Sequence, residues 1–400
     1  MASQSPALPV SLETGRRARF AAGAGLIALY CLGHFFIDLY SSALSVYQPL
    51  LIGRLGFSLT QAGLLGGLLV FSSSVLQPLY GYMADRWPSR LYSVLAPGLS
   101  GVFIGLLGYS SGFGVAAACV LLAGTGIAAF HPHASSRVTR GMEANKGRWM
   151  SVFISAGTLG LALGPLILSA LLSTAGLEGS LWAALPGLAV TGLLLKALPS
   201  ENRSSTHARP AFDWLALRAV WRPLSLLYAA VFLRSVVQIT FTQFLALYLH
   251  QERGYSLAQS ASVLSLYLAS GAIGGFAGGH LSDRIGGRRT IMLSFLGSVP
   301  FLALFFWLTG WASVACLALG GLILLFTIPV NVVIAQELVP SQAGTVSALM
   351  MGFAWGTAGM IFIPFTGWLS DQTSLHAALR LLVLFPLAGY FLTRHLPKDL

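Results

Sequence analysis

The feature that most constrains this chain is a succession of long apolar runs separated by short polar breaks. Twelve follow one another, at about residues 20–50, 59–84, 91–110, 113–136, 149–173, 178–198, 221–250, 257–281, 289–309, 312–335, 344–370 and 375–395. Each is close to the ~17–25 residues that carry a helix across a hydrocarbon layer. Composition agrees. Charged residues are 9% and hydrophobic residues 56% of the 400, and mean hydropathy is +0.77. A water-soluble domain of this size cannot cover its surface with so few charges. Soluble enzyme, disordered chain and disulfide scaffold are therefore excluded. The runs must be helices, because a helix satisfies its own backbone in lipid, and the alternation of a barrel strand is absent.

The basic residues test this reading. With the N-terminus cytoplasmic, that side holds Arg16, Arg17, Arg19, Arg86, Arg90, Arg137, Arg140, Lys146, Arg148, Lys196, Arg203, Arg209, Arg218, Arg222, Arg284, Arg288, Arg289, Arg394 and Lys398. The other side holds only Arg54, Arg253 and Arg380, and Arg234 lies inside a run. So strong a bias supports an even number of spans with both termini cytoplasmic. The net charge of +11 is spread over these loops and is not gathered into a nucleic-acid-binding segment. Cys31, Cys119 and Cys316 all fall within apolar runs and read as small core residues. No cleavable leader is evident. Gly108-Tyr109-Ser110-Ser111-Gly112 has the spacing of a hydrolase elbow, but it occupies a turn between two spans, and no ATP-binding P-loop is present.

The chain also repeats itself. Gly56-Phe57-Ser58-Leu59-Thr60-Gln61 recurs as Gly254-Tyr255-Ser256-Leu257-Ala258-Gln259, and Gly81-Tyr82-Met83-Ala84-Asp85-Arg86 recurs as Gly279-His280-Leu281-Ser282-Asp283-Arg284. Two matches at one offset indicate a duplicated six-helix unit. The expected organisation is a first bundle over 1–198, a cytoplasmic linker over 199–220 and a second bundle over 221–400. Asp213 to Arg218 has the makings of a short interfacial helix.

Few polar groups lie deep within the runs. Asp38 is the only acid there, and a carboxylate in that position costs ~2.5–3.5 kcal/mol unless it meets water or a partner. His34 lies one turn earlier on the same face. We read Asp38 as a proton-exchanging group tuned by His34, against the plainer alternative of a hydrogen bond between helices. Arg234, Gln238 and Thr242 form one stripe on the seventh run. Arg234 is suited to neutralising Asp38, or to binding an anion such as a phosphonate or carboxylate. His131 is a further candidate for proton handling. No carboxylate or thiolate stands near His131-Pro132-His133 in the sequence, so no metal site is expected. Asn331, beside a bend expected at Pro329, together with Tyr30, Tyr47, Gln77, Tyr267 and Trp355, are candidates to line a substrate cavity.

The two copies of Gly-x-x-x-Asp-Arg, with Arg90 in the first loop and Arg288 and Arg289 in the second, resemble the signature loop of the major facilitator superfamily. Gly160-x-x-x-Gly164-Pro165 in the fifth run is similar to the motif of its antiporters. Gly33-His34-x-x-x-Asp38, Phe130-His131-Pro132, Ala335-Gln336-Glu337-Leu338-Val339-Pro340 and Gly352-Phe353-Ala354-Trp355-Gly356 resemble the fosmidomycin resistance group of efflux proteins.

The resemblance implies an all-α integral membrane fold of twelve transmembrane helices in two pseudo-symmetric six-helix bundles. It implies proton-driven export of drug-like or anionic compounds from a bacterial inner membrane. The alternative is a metabolite importer, proton-independent or of symport type, on the same fold. Gly81, Asp85, Arg86, Arg90, Gly279, Asp283, Arg284 and Arg288 would then be gating residues, Asp85 latching onto the start of span eleven. Arg86 and Arg90 would pair with Asp85 or with lipid phosphates. The expected partners are a small-molecule substrate, protons and membrane lipids, with no nucleic acid. The chain is expected to work as a monomer. No catalytic constellation, metal or cofactor is expected, the proton gradient being the driving force.

Overall fold

The computed structural model describes residues 10–138, 146–200 and 213–397, with side chains from residue 25 in the first stretch and from 149 in the second. Eleven helices among the described residues are long and apolar enough to cross a membrane: Gly25–Leu55, Leu59–Arg86, Phe113–Val138, Trp149–Ala175, Glu178–Ala197, Trp221–Glu252, Leu257–Ile285, Gly287–Trp307, Gly310–Leu338, Pro340–Gln372 and Leu375–Thr393. Leu91–Leu107 is shorter and takes the third place in order. These are spans one to twelve, and their ends fall within a few residues of the apolar runs. No strand occurs among the described residues. Of the topology-setting bases, Arg140, Arg203, Arg209 and Lys398 lie outside the described residues, as does linker segment 201–212. The interfacial helix is present as Trp214–Ala219, its first turn capped by Asp213, which accepts from the Ala216 amide at 3.0 Å.

The internal repeat has a local physical cause. Gly56 and Gly254 both take the left-handed conformation, with φ of 65° and 70°, and so end spans one and seven without a Cβ clash. Ser58 and Ser256 then start spans two and eight with complete capping boxes, using Gln61 and Gln259. Two of the three arginines at this sparsely charged end play matching parts. Arg54 donates to the carbonyl of Gly108 at 2.9 Å and Arg253 to that of Leu308 at 2.8 Å, so each holds the last turn of the third helix of its half.

The outer surface is apolar. Leu159, Ile167, Leu185, Ile273, Phe276, Leu293 and Phe365 are exposed along the spans, as a surface solvated by lipid requires. Trp87, Trp182, Trp221, Trp307 and Trp311 are exposed at span ends, the placement that favours an amphipathic ring at the headgroup level. Arg222 and Arg380 stack on Trp221 and Trp307 at 5.5 and 5.3 Å.

The buried apolar side chains fall into two clusters. One runs from Ile27 to Leu198 and takes only Ala261 from the later spans. The other runs from Leu224 to Leu396 and takes only Ala62, Val70 and Ala162 from the earlier ones. Spans two and eleven, and five and eight, pack across this divide. Small residues permit the approach. A Cβ on Gly63 would lie 2.8 Å from the carbonyl oxygen of Ile363, and one on Gly67 would lie 2.7 Å from Pro364 Cγ.

Candidate functional site

Span one is built to hold an interruption. The serines after Asp38 bond back to their own helix: Ser41 Oγ to the Asp38 carbonyl at 2.8 Å, Ser42 Oγ to Leu39 at 3.0 Å and Ser45 Oγ to Ser42 at 2.7 Å. Such bonds loosen a helix, and Pro49 removes a further amide donor. The helix breaks at Ser42–Ala43, one turn beyond Asp38.

Asp38 there meets two histidines. Its Oδ2 lies 3.3 Å from His34 Nε2 and its Oδ1 3.2 Å from His131 Nε2, with the Asp38 side chain 19% exposed. Both rings are oriented from behind. His34 Nδ1 is 2.8 Å from the carbonyl oxygen of Phe153 in span five, and His131 Nδ1 is 2.8 Å from that of Ile127 in its own span. A carbonyl only accepts, so each Nδ1 carries the hydrogen and each Nε2 faces the carboxylate. In a neutral ring Nε2 offers a lone pair to Asp38. In a charged ring it offers a proton. The cluster therefore has two contacts that hold only when protons occupy them.

The three ligand atoms lie within 4.8 Å of one another. This corrects the expectation that His131 has no carboxylate near it. The partner is on another span, 93 positions earlier, where local spacing cannot show it. Sequence reasoning also missed Gly157. A Cβ at that position would lie 2.5 Å from Asp38 Oδ2 and run into the His34 ring. Gly160 and Gly164 continue the same face and meet the backbone of Phe35 and Leu39. Pro165 sits inside the same helix, just past them. The antiporter-type motif is thus the surface that lays span five over the Asp38 cluster.

Arg234 is on the other side of the divide. It is 5% exposed and donates to Gln238 Oε1 and, at 2.9 Å, to Ser235 Oγ. Its Nε has no partner. Among the described residues no acidic side chain pairs with it, so the suggested pairing with Asp38 is not formed. Arg234 lines a cavity with Val231, Ile328, Asn331, Val332, Met350, Met351 and Trp355. Both amide atoms of Asn331 are buried without a partner. Spans ten and eleven are irregular beside this cavity. Span ten breaks at Leu325–Phe326, just before the expected bend at Pro329, and Leu349–Phe353 winds as a π-helix.

The remaining candidates divide. Gln238 accepts from Arg234 through Oε1 and is not among the residues lining this cavity. Tyr267 is buried within electrostatic reach of Arg234, its hydroxyl without a partner. Gln77 donates to the Ser73 carbonyl at 2.8 Å and approaches Gly352 of span eleven. Tyr30 and Tyr47 are packed in the core of the first half and do not reach the cavity. Their ring size suits either role, and only packing separates the two.

In the loop motifs, Gly81 faces Pro132 and Gly279 faces Pro329, where a Cβ would stand 3.5 and 3.8 Å away. Asp85, Arg86, Asp283 and Arg284 are exposed, and Arg86 lies over the Trp87 ring at 5.9 Å. Arg90 is used differently from the expectation. It donates to the carbonyl of Leu198, and Arg288 donates to that of Arg394 at 2.8 Å. Each ties its loop to the end of the last helix of its half.

Known proteins share this chain's features. The family model for the Major Facilitator Superfamily matches residues 30–364. The fosmidomycin resistance protein of Escherichia coli (strain K12) is 29% identical over 408 residues, covering 100% of this chain and 99% of that protein. The uncharacterized MFS-type transporter YfnC of Bacillus subtilis (strain 168) is 31% identical over 376 residues, covering 92% and 91%. A crystal structure of a bacterial homolog of the human lysosomal transporter Spinster, inward-facing and unoccupied, superposes with a TM-score of 0.81 at 15% identity, covering 94% of this chain and 98% of that one.

Proposed function

The chain belongs to the major facilitator superfamily, and from that premise we propose that it is a proton-coupled antiporter exporting small drug-like or anionic compounds. It is a multi-pass membrane transporter of small molecules and not an enzyme. The observation that carries the finer reading is the separation of two charged sites on opposite halves. A carboxylate shared by His34 and His131 stands on spans one and four, and a buried guanidinium without an acidic partner among the described residues faces a cavity between spans seven, ten and eleven.

The chemistry follows from that placement. Arg234 offers fixed positive charge and its free Nε–H to an anion, with the Asn331 amide beside it as donor or acceptor. Asp38, His34 and His131 accept protons from one side of the membrane and release them to the other as the halves 1–198 and 221–400 rock about the path between them. Protonation of the cluster and occupation of the anion site each bias the same rocking equilibrium, and that shared equilibrium is the coupling. The resistance name of the Escherichia coli relative supports export. Both termini and the loops holding Asp85 and Asp283 are on the cytoplasmic side in this reading, and the membrane is a bacterial inner membrane.

The test is flux into and out of proteoliposomes under an imposed pH gradient, with phosphonates, carboxylates, sulfonates and neutral compounds of similar size. Anion movement against the proton gradient is expected, unchanged by a metal chelator, and Asp38→Asn should abolish its response to pH. Anion uptake indifferent to the gradient would instead make the protein a facilitative importer.

A further inference from the structure

The first turn of span two is capped from the other half of the molecule. The Leu59 amide donates to Asp371 Oδ1 at 2.8 Å, the Thr60 amide to Oδ2 at 2.7 Å and the Thr60 hydroxyl to the same oxygen at 2.5 Å. Asp371 stands at the far end of span eleven. The local capping box serves the Gln61 amide, which donates to Ser58 Oγ at 3.1 Å, and the Ser58 amide, which donates to Gln61 Oε1 at 3.0 Å, while the Ala62 amide starts the helix ladder on the Ser58 carbonyl at 3.0 Å. Asp371 thus takes the two donors that the box leaves over, and it places a negative charge on the positive end of a helix. Below it, spans two and eleven meet backbone to backbone at Gly63 and Gly367, with the Pro364 ring against Gly67.

The internal repeat provides the control. Gly157-Thr158-x-Gly160 and Pro165 in span five recur as Gly356-Thr357-x-Gly359 and Pro364 in span eleven. By that register Asp371 corresponds to Leu172, and by the register of the Gly56 and Gly254 repeat Thr60 corresponds to Ala258 of span eight. Spans five and eight pack across the divide as eleven and two do. There the capping box remains, but Leu172 is buried and apolar, and Ala258 has no hydroxyl. Carboxylate and hydroxyl occur together at one crossing and are absent together at the other. Helix capping alone needs neither, since span eight starts without them.

We propose that Asp371 and Thr60 are gate residues. They latch the two halves together at the end of the path opposite the Asp85 loop, and breaking the latch is a step of the cycle that opens that end. The inference rests on the reading of this chain as a rocking carrier, and it is independent of which substrate or ion is carried. In the topology proposed above, the latch is extracytoplasmic. The amides and the carboxylate it joins are exposed, so water replaces the lost bonds on opening and the latch is reversible.

Pulsed electron–electron distance measurement tests it. Spin labels go on Gly53→Cys and Gln372→Cys, both exposed, in full-length protein with Cys31, Cys119 and Cys316 replaced by Ala. A second pair, Gly53→Cys with Gly112→Cys, lies within the first half and reports on folding. Asp371→Asn should shift the ratio of short to long distances about tenfold or more toward long, as expected for losing one charge-assisted bond. Thr60→Val should shift it less in the same direction, and Asp371→Glu should restore most of it, with the control pair unchanged throughout. If Asp371→Asn and Thr60→Val both keep the parent distribution, the latch is wrong, even where proton-driven export is observed. A shifted distribution in a protein that shows no proton-driven flux keeps the latch and removes the export reading.

Discussion

His34 and His131 owe their orientation to two carbonyl oxygens, those of Phe153 and Ile127, which take the Nδ1 hydrogens and turn both Nε2 atoms onto Asp38. Gly157 completes the arrangement by leaving room over the pair. Gly157→Val should therefore abolish the response of transport to a pH gradient, because the new methyl groups displace the carboxylate and the ring. The check is flux with and without the gradient, beside a circular-dichroism measurement expected to stay as in the parent. Arg234 makes the complementary prediction. Arg234→Gln should raise the KM for an anionic substrate about tenfold or more, the effect of losing a charge-assisted hydrogen bond of ~1.5–3 kcal/mol. Neutral compounds should be unaffected. Arg234→Lys should recover only part of the affinity, since an ammonium keeps the charge and lacks the planar fork.

Among the helices, the consequential features are departures from regularity. Span one breaks after Asp38, span ten breaks before Asn331, and spans two and eleven each contain a π-helical turn, Phe71–Val75 and Leu349–Phe353. Each break frees backbone groups that can be tolerated at membrane depth only where protein or a cavity surrounds them. The regular stretches serve as packing surfaces. Gly160 illustrates the cost of disturbing one, because a Cβ there would run into the backbone carbonyl of Phe35, which has no side-chain freedom to yield. Gly160→Leu should lower the melting temperature in detergent markedly, as overpacking costs ~1–3 kcal/mol or more. Gly344→Ala, with open space around it, should leave the melting temperature within error.

At the scale of the whole molecule, two apolar cores meet along the crossings of spans two with eleven and five with eight, and exposed Leu, Ile and Phe side chains line the outer faces of the spans. A body of this kind is held upright by its interfacial charges and aromatic rings. The orientation with both termini cytoplasmic makes a definite prediction. A cysteine at exposed Ser200, in a background lacking the native three, should react with an impermeant thiol reagent only from the cytoplasmic side. One at exposed Thr373 should react only from the other. Labelling of both from the same side would overturn the topology.

The sequence by itself determined the solvent, the number of spans and their order. Those properties depend on run length, charge bias and a duplicated motif, all of which are local or additive along the chain. Asp38, His34 and Arg234 were also legible, because an ionisable group inside an apolar run is conspicuous wherever it lies. Tertiary structure decided who meets whom. His131 joins Asp38 rather than standing apart, Arg234 faces Asn331 and Trp355 rather than Asp38, and Tyr30 and Tyr47 belong to the core. Asp371 caps a helix more than three hundred positions away. Such pairings depend on helix rotation and crossing, which small residues such as Gly157 and Gly160 fix through contacts that no sequence spacing encodes.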